Sequence, residues 1–124
     1  MTELRYEALE RAIANGNKNE EFEPRLIRAY ENSKHLKHDY IDLYDAICRI
    51  EDFERLKKNL EDCGIEELTI SNTTCWLMEF LEDMQKIGYK VDRMIKISTG
   101  DRDYDEEKDE IFMKEKNAIV IRRF

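Results

Sequence analysis

The sequence predicts an α+β fold: N-terminal helices packed with a small mixed three-stranded sheet, in the order strand, helix, strand, loop, strand. Three observations predict it. Apolar residues recur at three- and four-residue steps as far as Gly64. After Ile65 the spacing changes to short β-prone runs. Between two of these runs lies CWLMEFLEDMQKIG, an amphipathic helical pattern. Residues 1–124 are expected to form one domain, with 1–64 helical and 65–124 carrying the strands.

The elements follow in order. Residues 2–15 read as a helix with Thr2 as cap, Tyr6, Leu9 and Ile13 on one face, and Gly16 as the stop. NGNKNE is a polar connector. Pro24 suits the first turn of a second helix that buries Leu26, Ile27 and Tyr30, and Asn32, Ser33 and Lys34 are expected to break it. Tyr40, Leu43, Tyr44, Ile47 and Ile50 predict a third helix over 38–50. Phe53, Leu56, Leu60 and Cys63 predict a fourth, ended by Gly64.

ELTIS, residues 67–71, reads as a strand. In the helix that follows, Trp76, Leu77, Phe80, Leu81, Met84 and Ile87 line the inner side, and Glu79, Glu82, Asp83 and Lys86 the outer. Residues 89–98 alternate through Val91, Met94 (after a slip), Ile95 and Ile97. The uninterrupted Ile119, Val120 and Ile121 suit a central or covered strand. A helix between the first two strands predicts that they run parallel, and a loop between the last two predicts an antiparallel pair.

The 124 residues carry 21 basic and 29 acidic side chains, a net charge of −8. Such a field repels nucleic acid and anionic lipid and attracts basic protein surfaces. No apolar run approaches the roughly 20 residues that span a bilayer, and the N-terminus lacks the pattern of a secretion signal. Cys48, Cys63 and Cys75 are odd in number and widely spaced, as expected of reduced thiols in the cytoplasm.

The candidate site is DRDYDEEKDE, residues 101–110. Its acids are Asp101, Asp103, Asp105, Glu106, Glu107, Asp109 and Glu110, against the bases Arg102 and Lys108, so −5 of the −8 lies here. Gathered carboxylates imitate phosphate spacing and suit an Arg/Lys-lined surface, while Tyr104 can stack on a guanidinium. The plain alternative is a solvated hairpin tip. Asp101, Asp103 and Asp105 stand in the register that opens a calcium loop. But Glu106 replaces the required Gly and Phe112 the closing Glu.

His35, His38 or Asp39, and Asp42 fall near one helical face, a weak zinc spacing set aside in favour of a solvated cap. Cys75 would lie in a helical first turn beside Ser71, Thr73 and Thr74, but no histidine is placed as a base, and capping suits the hydroxyls. With four scattered glycines there is no phosphate loop. No cofactor, metal or catalytic residue is expected.

The segment LTISNTTCWLMEFLEDMQKIGYKVDRMIKI resembles a group of small uncharacterised proteins carried by Firmicutes genomes, their phages and mobile elements. The resemblance rests on Thr69, Ile70 and Ser71, on Leu77, Met78 and Glu79, and on Gly88 with Val91. It implies a strand, a helix, a turn into a second strand, a variable polar loop and a closing strand. It also implies a setting in which small acidic proteins inhibit host defence, anti-CRISPR proteins among them. The expected function is a non-enzymatic inhibitor that occupies a basic surface, such as that of a nucleic-acid-binding effector. The alternatives are a homo-oligomeric interaction module and a small metal-dependent enzyme built on His35 and His38.

Overall fold

A computed structural model describes residues 4–44, 50–72 and 77–124. Its elements are α1 (Glu7–Ala14), a short 3₁₀ turn (Lys18–Glu20), α2 (Pro24–His35), α3 (Phe53–Cys63), β1 (Glu67–Ile70), α4 (Leu77–Lys86), β2 (Tyr89–Asp105) and β3 (Glu110–Arg123). The fold is α+β, with α1–α3 preceding a three-stranded sheet that α4 interrupts in sequence.

Local chemistry explains most boundaries. Pro24 opens α2, where its missing N–H costs nothing. Asp52 caps α3 by accepting from the Arg55 N–H at 3.0 Å. Gly64 closes α3 in the left-handed region, at φ +69°, where a Cβ would be strained. Thr2 and Trp76 lie outside the described residues.

Two expectations in the helical half fail. The first is that Asn32, Ser33 and Lys34 break α2; the helix runs on to His35. Ser33 is buried there, and its Oγ accepts from the Asp42 N–H at 3.0 Å. A residue that disfavours helix in isolation is held by a tertiary hydrogen bond. The second is the helix over 38–50. Of its described part, His38–Leu43 is not helical, and 45–49 lie outside the described residues. Here Ile41 and Leu43 are buried at two-residue spacing. The segment runs beside β1: the Thr69 N–H donates to the Ile41 carbonyl and the Leu43 N–H to the Thr69 carbonyl, both at 2.9 Å. Backbone pairing on a sheet edge overrides the helical spacing of the aromatics.

The sheet order is β1-β3-β2. β1 and β2 run in the same direction, as the intervening helix requires, yet they do not pair. β3 lies between them, and both hydrogen-bonded pairs are antiparallel, Leu68 facing Ile121 and Ile95 facing Ala118. The expected mixed sheet is therefore antiparallel throughout its strands, and parallel character is confined to the Asp42–Thr69 bridge. The physical reason is the tight turn after Asp105. It makes β3 pair first with its neighbour β2, and β3 is long enough to offer its far end to β1.

One apolar cluster joins both halves. Leu9 of α1, Leu26 and Tyr30 of α2, Leu56 and Leu60 of α3, Phe80 and Met84 of α4, and Leu68, Ile70 and Ile121 of the sheet are all buried in it. Each such side chain contributes about 1.5–3 kcal/mol by leaving water. Polar ties register the pieces. Asn59 of α3 accepts from the Glu23 N–H and donates to the Glu21 carbonyl, both at 2.8 Å. The buried Glu23 carboxylate meets Arg55 at 2.8 Å. The Tyr89 hydroxyl donates to the Ile65 carbonyl.

Candidate functional site

The acidic run is not a loop. Asp101–Asp105 belong to β2 and Glu110 to β3, leaving a four-residue turn of Glu106, Glu107, Lys108 and Asp109. The strands β2 and β3 continue past the core as a two-stranded arm from about Ser98 and Glu115 outward. Its residues are exposed apart from the half-buried Thr99 and Asp105, and none belongs to the core cluster. Charge density had suggested a loop because strand and loop are equally polar when neither face is covered.

Side chains of its own hold the arm in shape. Between Ser98 and Arg102 the register shifts, and Gly100 supplies φ +82° there. The Thr99 hydroxyl donates to the Lys114 carbonyl at 3.2 Å, and its oxygen accepts from the Asp101 N–H at 3.2 Å. At the tip, Asp105 Oδ1 accepts from the N–H groups of Glu107 at 3.0 Å and Lys108 at 3.3 Å. The Tyr104 hydroxyl donates to Asp109, and this carboxylate holds the phenol above its usual range.

Cross-strand partners share a face, so the register sorts the arm into two sides. On one, Tyr104 faces Ile111 and Arg102 faces Met113. On the other, Asp103 faces Phe112 and Asp105 faces Glu110, with Lys114 Nζ 3.7 Å from Asp103. The large apolar side chains stand in water: Ile111 is 71 % exposed, Tyr104 50 %, and Phe112 and Met113 45 % each. Ile111, Phe112 and Met113 were not read as site residues from the sequence. The available signal was an apolar triplet directly behind the acids, too short to declare a period.

All eight expected residues thus come together on the arm, in different positions. Asp101 sits at the register shift. Asp103, Asp105 and Glu110 share one face, Tyr104 takes the other, and Glu106, Glu107 and Asp109 ride the turn. The strand also disposes of the calcium spacing. Alternate residues in a strand stand about 6.6 Å apart along it, too far for three carboxylates to close on one ion at about 2.4 Å.

The other candidates fare unequally. The His38 ring stacks on Tyr40 with centroids 4.5 Å apart. Asp42 Oδ1 accepts from the N–H groups of Tyr44 at 2.9 Å and Ser71 at 3.2 Å, a capping role. Among the described residues no group of three or more His, Cys, Asp and Glu is placed to hold a metal ion. Thr73, Thr74, Cys75 and Cys48 lie outside the described residues. Cys63 is free and half-buried, and burial pushes its thiol up to about 11. Among the described residues no helix is long and apolar enough to cross a membrane.

A family model described as a domain of unknown function, DUF7698, matches residues 25–121. The chain belongs to the DUF7698 family. The DUF7698 match begins in α2 and reaches nearly the end of β3, so it takes in the whole arm and leaves α1 outside. It takes in α2 and α3 as well as the second half of the sequence. No curated protein and no solved structure matches the chain.

Proposed function

We propose that the chain is a non-enzymatic binding protein of the cytoplasm that docks its acidic arm on a basic protein surface. The observation that carries this reading is the arm itself: a charge of −5 within residues 101–110, with the exposed side chain of Tyr104 inside the run and those of Ile111, Phe112 and Met113 directly after it. Acids steer a basic partner toward the arm and fix its register. Tyr104, Ile111, Phe112 and Met113 then supply the desolvated contact from which affinity comes. An arm of two antiparallel strands is slim enough to enter a groove built for a nucleic-acid strand. The finer proposal is an anti-CRISPR-like inhibitor, encoded by a phage or mobile element, that occupies such a groove in a host effector.

The test is capture from lysate at low salt by the parent chain and by a variant carrying Asp103→Asn, Asp105→Asn, Glu106→Gln and Glu107→Gln. The reading requires a basic protein held by the parent, lost by the variant, and displaced from its nucleic acid when the parent chain is added. A partner retained equally by both chains overturns it.

A second reading draws on a different observation. Among the described residues no strand pairs with the outer edge of β2, which invites edge-to-edge pairing of two copies. Light scattering across micromolar concentrations separates the two readings. Pairing of copies requires a dimer that dissociates on dilution.

A further inference from the structure

Among the described residues, one groove of this acidic molecule is lined by more bases than acids. This groove, of about 430 Å³, runs between α2 and the segment His38–Tyr44. Arg25, Arg28, Asn32 and His35 line its α2 side at steps of three, four and three residues, about one turn each, and His38 lines the segment that follows. Its floor is Ala29, Ser33 and Leu43, all buried. At the rim stands the exposed ring of Tyr44, with Lys116 Nζ 5.5 Å from its centroid.

The charges are uncommitted. Among the described residues, ion pairs engage Lys34, Arg55, Lys86, Arg93, Lys114, Arg122 and Arg123, and neither Arg25 nor Arg28. Among the described residues Asp42 is the one acid lining the groove, and its Oδ1 already accepts two backbone N–H groups. Other bases, Arg5, Arg11 and Arg102 among them, also lack an ion pair among the described residues; what sets Arg25 and Arg28 apart is that they share one wall of a groove.

We propose that this groove binds a small phosphate monoester carrying a planar ring, the chemistry of a nucleoside monophosphate. Each guanidinium presents a fork of N–H donors matched to phosphate oxygens, and two forks one helical turn apart can grip one dianion from adjacent sides. His35 and His38 add N–H donors. The ring lies against Leu43 and Tyr44, and the Asn32 amide reads its polar edge. The volume falls within the range of small-molecule sites. The site is separate from the arm in both residues and charge.

Calorimetric titration of the full chain with adenosine 5′-monophosphate, adenosine and inorganic phosphate tests it, alongside backbone NMR shifts. The proposal requires the monophosphate to bind most tightly, inorganic phosphate more weakly and adenosine least, with shifts centred on Asn32, His35 and His38. Arg25→Gln with Arg28→Gln is to weaken the monophosphate roughly tenfold or more, and Arg25→Lys with Arg28→Lys by less, since charge persists while the fork is lost. The arm variant is to bind it unchanged, which keeps this result independent of the docking reading. No binding at millimolar ligand, adenosine binding as well as its monophosphate, shifts centred elsewhere, or full affinity in either double variant would each overturn the proposal.

Discussion

Asn59 shows how much one buried amide fixes. It receives the N–H of Glu23 and donates to the carbonyl of Glu21, so the entry to α2 is sewn to α3. Replacing it by Leu strands one donor and one acceptor away from water. Asn59→Leu is predicted to cost about 2–4 kcal/mol in urea unfolding. Glu10 gives a pH-dependent tie. Hydrogen bonds from Lys34 and then from the Tyr30 hydroxyl hold its carboxyl below the usual 4.5. The folded value lies below the unfolded one, so this stabilisation is complete above about pH 4.5 and disappears as pH falls through the folded value. Glu10→Gln should therefore be less stable than the parent at neutral pH and converge with it as pH falls through the folded value of Glu10. Cys63, its thiol pushed up to about 11, should react slowly with a disulfide reagent at about pH 8 in a Cys48→Ser, Cys75→Ser background, and rapidly once unfolded. At this scale Pro24 and Gly64 were legible because their backbone preferences act locally. Ser33 was not, because its role depends on Asp42 arriving from another segment.

Among elements, the covered place of the inner part of β3 could be read from Ile119, Val120 and Ile121, since a strand buried on both faces needs no polar alternation, and Val120 and Ile121 are both buried. The slip foreseen before Met94 coincides with a register shift between Val91 and Arg93. Val91 and Met94 themselves are exposed, 49 % and 62 %, because the shift turns the strand away from the core. The arm was illegible as a strand for a different reason: two solvated faces leave no hydrophobic period to count. That same lack of burial makes it separable. The variant with Asp103→Asn, Asp105→Asn, Glu106→Gln and Glu107→Gln keeps the turn acceptor at position 105. It should unfold within about 0.5 kcal/mol per site of the parent. Ile111→Thr with Phe112→Thr should likewise fold normally, yet slow binding little and speed dissociation strongly if the apolar contacts supply affinity.

For the whole molecule, the division of labour is spatial. Helices α1–α4 and the inner part of the sheet make the core, while the outer halves of β2 and β3 add nothing to it. The overall charge of −8 was legible from composition. The basic groove beside α2 was not, because Arg25, Arg28 and His35 share a wall with His38 only when the chain turns back after α2. The most direct measurement of the central claim is the affinity of the captured partner for the parent chain and the arm variant, determined by calorimetry from about 50 to 500 mM salt. The account predicts a parent affinity that falls roughly tenfold or more across that range and a variant that starts weak and varies little. Equal affinities for the two chains, or a parent affinity indifferent to salt, would contradict it.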